Sequence, residues 1–201
     1  MNFSSLVSSP LIQLVVDTSV LVNLHACTFG KQILAALPNK KLVTQIAVEE
    51  LSPGTDERGF LDDLVKANLI ELALLTDPEY ELYEKLITTL DDGESATIAL
   101  AITRQVFPFI DERKGRARAC SIQPSLEPGW SLDLFRHPEV LVQLGSPLDT
   151  DALFLALKEG RMRIPEDRTD EVISLIGTQR AVECVCLPGY KKRFLNATPN
   201  Q

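Results

Sequence analysis

Apolar residues along the chain follow two periods. Ile12-Gln-Leu-Val-Val16 is a short apolar run that stops at Asp17, the pattern of a buried parallel strand. From Thr18 the spacing changes. Val20, Leu21 and Leu24 recur as on one face of a helix, with Asp17 or Thr18 able to cap it. Gly30 and Pro38 bracket a second short helix. Leu42-Val43 predicts a brief strand, and Gln45 to Leu51 a helix that Pro53-Gly54 ends. Helical spacing returns at Phe60, Leu61, Leu64 and Val65, Leu69 to Leu75 reads as a strand or short extended segment, and Tyr80 to Leu90 is amphipathic. Residues 92–103, small and apolar, form the strongest helical pattern, and Val106 to Ile110 predicts a strand that again ends at an acid, Asp111. Strand and helix alternate through residue 121, which predicts an α/β fold: a central parallel sheet with helices on both faces.

Beyond residue 121 the pattern breaks at Pro124, Pro128-Gly129, Pro138 and Pro147. A boundary is therefore expected near residue 125. It separates a domain over 11–122 from a mostly helical C-terminal extension over 126–194, with a frayed tail over 195–201. Helices are expected at Leu132–Phe135, Pro138–Leu144 and Asp149–Glu159. Val182-Glu-Cys-Val-Cys-Leu187 alternates as a strand would, which predicts that the Cys184 and Cys186 thiols project from one sheet face.

The chain has 201 residues, 45% hydrophobic and 24% charged, which excludes a disordered chain, a coiled coil or a collagen-like repeat. That length can bury a core without disulfides. No apolar run reaches the roughly 18–20 residues of a membrane span. Met1 to Leu14 lacks a basic residue before its apolar stretch, so a secretory signal is not expected and the expected location is cytoplasmic. Cys27, Cys120, Cys184 and Cys186 are too scattered for a disulfide framework, and no second close pair completes a zinc site. They are read as structural thiols.

Charge changes the picture. Residues 1–110 hold 15 acids and 7 Lys/Arg, whereas residues 111–201 hold 13 of each. The basic residues of the second part begin with Arg113, Lys114, Arg116 and Arg118, directly after Asp111-Glu112. A site needing both carboxylates and cations would have this asymmetry, and so would a solvated helix face.

Two predicted strands end on Asp17 and Asp111, and ligands of open parallel sheets bind at the carboxyl ends of the strands. Glu50 lies on a short predicted helix, and Glu94 in the first turn of the Ala-rich one. Converged, these four acids would repel one another severely without a cation. Hard oxygen donors, with only two histidines in the chain, select Mg²⁺ or Mn²⁺. Such an ion lowers the pKa of a bound water and neutralises a phosphoryl group. Each acid also has a plainer reading: Asp17 as a helix cap, Glu94 as a partner of the helix dipole, Asp111 as a turn residue and Glu50 as a solvated side chain.

Four segments resemble the motifs of the PIN domain. Val15-Val-Asp-Thr-Ser-Val-Leu-Val-Asn23 resembles the first, a hydrophobic strand entering an aspartate followed by Thr/Ser. Ile46-Ala-Val-Glu-Glu-Leu51 resembles the second, whose glutamate directly precedes an aliphatic residue and so points to Glu50. Leu90-Asp-Asp-Gly-Glu-Ser-Ala-Thr-Ile-Ala-Leu-Ala101 resembles the Gly-Glu form of the third, at Glu94. Phe109-Ile-Asp-Glu-Arg-Lys-Gly-Arg-Ala117 resembles the fourth, at Asp111.

The resemblance covers roughly residues 11–122 and implies a PIN-like three-layer sandwich. It also implies a Mg²⁺/Mn²⁺-dependent endoribonuclease of the VapC-like toxin type. Its expected partners are an RNA substrate, an antitoxin protein and a second copy of the chain in a homodimer. Asp17, Glu50, Glu94 and Asp111 would be the catalytic and metal-binding set. Thr18 and Ser19 would support the ligands by hydrogen bonds, and Arg113, Lys114 and Arg116 would contact RNA phosphates. Glu112 adjoins Asp111 and is a second candidate for its role. Residues 126–201 match nothing in the resemblance. A haloacid-dehalogenase-type phosphatase also begins with a strand ending in aspartate, but it needs a second Asp where this chain has Ser19. A catalytically inert PIN-like interaction module is the remaining alternative.

Overall fold

The computed structural model describes residues 9–195. Residues 196–201 of the tail expected over 195–201, and the first eight residues of the segment read for a secretory signal, lie outside them.

Four short parallel strands form the sheet: β1 (Leu14–Val16), β2 (Lys41–Thr44), β3 (Glu71–Ala73) and β4 (Phe107–Phe109). Their spatial order is β3-β2-β1-β4, with Val15 opposite both Leu42 and Pro108. Successive side chains leave a strand on opposite faces, so each strand feeds two cores. Leu14, Val16, Val43 and Phe109 enter the larger one, while Val15, Leu42 and Ala73 enter the other. This two-sided burial is why the strands are apolar without interruption.

On the larger face pack α1 (Thr18–Ala26), α2 (Gly30–Ala36) and α4 (Asp56–Lys66). Around the other lie α5 (Asp77–Leu86) and α6 (Asp92–Arg104), while α3 (Gln45–Glu49) sends Ala47 and Val48 into the larger core and Ile46 toward the other. Local chemistry starts these helices. Thr44 Oγ1 accepts the Ala47 amide at the head of α3, and Asp91 Oδ1 accepts the Glu94 amide, at 2.8 Å, at the head of α6. The expected α/β architecture, a parallel sheet between helical layers with a mostly helical C-terminal region, is observed.

After β4 comes α7 (Arg113–Ile122). Then follow α8 (Ser131–Phe135), α9 (Pro138–Leu144), α10 (Leu148–Lys158), a 3-10 turn (Glu166–Arg168), α11 (Thr169–Ile176) and α12 (Thr178–Ala181). Leu132, Leu153, Val172 and Leu187 share the larger core with Leu14 and Leu24. The change of pattern near residue 125 is therefore a change of element type within one continuous core. Gly129 marks the join. Its amide donates to Pro108 O and its carbonyl accepts from the Ile110 amide, at 2.9 and 3.0 Å, so residue 129 lies beside β4 as a fifth-strand stub. Pro108 tolerates this edge position because its missing N–H faces no ladder partner.

Among the described residues no single helix is long and apolar enough to cross a membrane. The helices α9 and α10 pass a length-and-composition test only as a pair, bent by 109°.

One local expectation fails. Residues 182–187 are not a strand but a succession of turns, with amides bonding carbonyls three residues back: Cys184 to Ala181, Leu187 to Cys184 and Tyr190 to Leu187. Burial follows a period of three, at Ala181, Cys184 and Leu187, and Val182 and Val185 face solvent. Cys184 Sγ faces Arg180 O, and Cys186 Sγ faces Leu157 O, so the two thiols do not share a sheet face.

Candidate active site

Parallel strands present their carboxyl ends at one sheet edge, and the first and fourth candidate acids lie there. Asp17 follows β1, and its amide donates to Phe109 O at 3.1 Å. Asp111 follows β4 by two residues. Both are buried.

Asp17 accepts the Ser19 hydroxyl on Oδ2 at 2.8 Å, while its Oδ1 is buried without a partner among the described residues. Removal from water pushes its carboxyl from 3.8 up to about 7. The Ser19 bond opposes the shift, and the charges of Asp91 and Glu50 add to it. Glu94, in the first turn of α6, shares this situation. Its Oε1 is buried and unpartnered, and burial raises its carboxyl from 4.5 to about 8, reinforced by Asp91, Asp17, Glu112 and Glu50.

Glu50 caps the C-terminus of α3. Its Oε2 accepts the Thr18 hydroxyl at 2.6 Å and its Oε1 the Gly93 amide at 2.7 Å. Two glycines allow these approaches. A Cβ at Gly93 would lie 2.3 Å from Glu50 Oε2, and one at Gly115 would lie 2.5 Å from Glu94 Oε1. In the segment Arg113-Lys-Gly-Arg116, the glycine makes room for a site carboxylate.

Asp111 stands apart from this group. Its Oδ1 accepts the Ser131 amide at 2.7 Å; its Oδ2 accepts the Ser131 hydroxyl at 2.6 Å and Asn23 Nδ2 at 2.7 Å. Asn23 also donates to Ser131 Oγ at 3.2 Å, which closes a buried triangle. Burial raises Asp111 from 3.8 to about 6, held down by the two Ser131 bonds and the Arg116 charge.

The fold therefore brings together Asp17, Glu50 and Glu94, and adds Asp91, the exposed cap of α6. Asp111 instead lines a cleft with Asn23 and with Ser19, whose hydroxyl bonds Asp17. Among the described residues no three His, Cys, Asp or Glu side chains are disposed to hold one metal ion together. The donor chemistry nevertheless suits a hard divalent cation. Asp17 Oδ1 and Glu94 Oε1 are orphaned buried oxygens, costly unless something positive completes them.

The basic candidates separate. Arg113 and Lys114 are exposed at the head of α7. Arg116 is turned inward: Nη1 donates to Ile110 O and Gly129 O, each at 2.9 Å, and its guanidinium stacks 3.9 Å over the Trp130 ring. Glu112 pairs with Arg163.

Asp91, Asn23, Gly115 and Ser131 were not singled out from the sequence. Asp91 had a readable signal, an Asp three residues before a Glu at a helix start, which is a capping pattern. Ser131 had none, since only the fold places it beside a residue 20 positions away.

A family model described as a PIN domain (DUF3368) matches residues 13–128. No curated protein and no solved structure matches the chain. The matched span begins at β1, ends at the Gly129 join and contains Asp17, Glu50, Glu94 and Asp111 with the geometry just described. The chain belongs to the PIN-domain family, whose members are typically metal-dependent nucleases.

Proposed function

We propose that this protein is a Mg²⁺- or Mn²⁺-dependent endoribonuclease that hydrolyses RNA phosphodiesters. The observation that carries the reading is the pair of buried, unpartnered carboxylate oxygens on Asp17 and Glu94, in a cluster whose charges repel. Asp17, Glu94 and Asp111 would hold the cation, with Glu50 contributing directly or through a water. When bound, the ion activates a water and neutralises the phosphoryl group under attack.

The chain's own residues prepare that site. The Ser19 hydroxyl occupies Oδ2 of Asp17 and leaves Oδ1 free. Thr18 and the Gly93 amide fix both oxygens of Glu50. Ser131 and Asn23 fix Asp111. At neutral pH Asp17 and Glu94 retain protons for part of the time, and these must leave as the cation enters. Arg113, in an exposed ion pair with Glu166, and Lys114 are the exposed cations at the head of α7 proposed to meet backbone phosphates.

The proposed setting is the cytoplasmic toxin half of a toxin–antitoxin pair, with an antitoxin protein as partner and a homodimer as the working form. This rests on the family resemblance. The rival reading is an inert interaction module, and the lack of three groups disposed around one ion among the described residues favours it.

The test is cleavage of single-stranded RNA by purified protein with Mn²⁺ or Mg²⁺. Activity that chelation abolishes, and that Asp17→Asn loses, supports the nuclease. Equal cleavage by the Asn variant would overturn it. Growth arrest on expression, relieved by Asp111→Asn, is the corresponding test of the toxin setting.

A further inference from the structure

Between Asp111-Glu112 and the C-terminal region lies a cleft of about 440 Å³. Ser19, Asn23, Asp111 and Glu112 line it from the PIN-domain residues, and Arg161 and Arg163 from the segment after α10. The placement of both arginines follows from the alternation of that segment. Burial alternates along it, with Met162 and Ile164 buried in the core and Arg161 and Arg163 left exposed. The Met162 amide pins it to Ala156 O at 3.0 Å. Gly160 lets it lie against α1, because a Cβ there would sit 2.8 Å from Asn23 Oδ1. The same Asn23 holds Asp111.

The two cations differ in how they are engaged. Arg163 pairs with Glu112, next to Asp111 in sequence. Arg161 is exposed and has no salt-bridge partner among the described residues. Its backbone has φ +54°, a left-handed conformation that disfavours any side chain larger than glycine's. A guanidinium is therefore held in a costly backbone conformation in the cleft that Asp111 and Glu112 also line. Such a fork suits phosphate oxygens, and an anion at Arg161 would meet a guanidinium that no ion-paired carboxylate neutralises among the described residues.

We propose that Arg161 and Arg163 form a phosphate-binding subsite of the cleft. It receives a backbone phosphate of the RNA strand next to the one cleaved, with Arg161 as the principal contact. The subsite rests on the nuclease reading for its substrate class, but not on any catalytic step. It gives the C-terminal region a role in gripping the strand.

The experiment measures binding of a labelled single-stranded RNA to the full chain carrying Asp17→Asn, with Mg²⁺, across a salt series. Adding Arg161→Ala should weaken binding about tenfold near 0.1 M salt and lower the slope of log K against log[salt] by about 0.7, one phosphate contact to a single strand. Arg163→Ala should do less, because Glu112 already shares its charge. Arg161→Lys should keep most of the slope. Arg161→Asn, tolerant of the left-handed backbone, repeats the test free of any folding cost. Lys85→Ala, on α5 across the sheet from α1, should change nothing. Inorganic phosphate is the second arm, and competition at micromolar levels would identify a free anion as the occupant and overturn the RNA assignment.

Unchanged affinity and slope in Arg161→Ala and Arg161→Asn would overturn the subsite, whatever the wild-type chain cleaves. Arg161-dependent RNA binding by a chain that never cleaves would uphold the subsite and remove the nuclease. Absence of RNA binding by the parent chain would overturn both.

Discussion

Ser131 gives both its amide and its hydroxyl to the carboxylate of Asp111, at 2.7 and 2.6 Å. The segment that resembles the fourth PIN motif is thus held by the residue that opens α8, beyond the family match, which ends at residue 128. Asn23 of α1 closes the same triangle, so two distant stretches of chain set the orientation of a carboxylate on a third. The hydrogen bonds leave it partly ionisable despite full burial.

Ser131→Ala removes the hydroxyl from Asp111 and a partner from Asn23. Leaving two buried polar groups short of a bond should cost about 1–3 kcal/mol of stability, read by urea denaturation. Cleavage should fall at least tenfold, and Ser131→Thr should recover part of it. Wild-type stability and turnover in the Ala variant would remove Ser131 from the site.

Gly93 and Gly59 both lie in helices but face different surroundings. A Cβ at Gly93 meets Glu50 at 2.3 Å, whereas one at Gly59 meets nothing within 4 Å. Gly93→Ala should displace Glu50 and weaken Mn²⁺ binding, measured by calorimetry. Gly59→Ala, on the exposed face of α4, should stabilise by about 0.5–1 kcal/mol and leave metal binding intact.

Metal-free protein should lose stability as pH rises. Asp17 and Glu94 ionise near 3.8 and 4.5 when the chain is unfolded, but keep their protons up to about 7 and about 8 when it is folded. Across that interval the folded chain binds more protons than the unfolded one, so each step up in pH favours unfolding. Thermal unfolding with a chelator should show the decline from about pH 4 to about 8. Asp17→Asn should flatten its share, and saturating Mg²⁺ should reduce it. An identical pH slope in wild type and Asp17→Asn would count against the strained cluster. By the same linkage, Mn²⁺ binding should release protons and tighten with pH up to about 8.

Arg116 and its neighbours on α7 should respond differently to truncation. Arg116→Ala forfeits two carbonyl bonds and the Trp130 stack, and should destabilise by about 1.5–3 kcal/mol. Arg113→Ala and Lys114→Ala should leave the unfolding midpoint in place and shift only RNA affinity. Stability data for the three variants, set beside RNA binding, decide which cations face the substrate.

Periodicity is a local property, so the sequence alone determined the alternating strands and helices, the parallel sheet, and the placement of Asp17 and Asp111 past the ends of apolar strands. It also determined the order of the four acids in the segments that resemble PIN-domain motifs. Where the local pattern misled, at residues 182–187, turns with a three-residue burial period imitated a strand because Val and Cys alternate there by composition alone. Only the tertiary structure decided which groups surround each carboxylate. Ser131 on Asp111, the glycine clearances at Glu50 and Glu94, the inward turn of Arg116, and Arg161 at the cleft all depend on contacts between residues far apart in the chain. Close packing sets such contacts, and no spacing along the sequence encodes them.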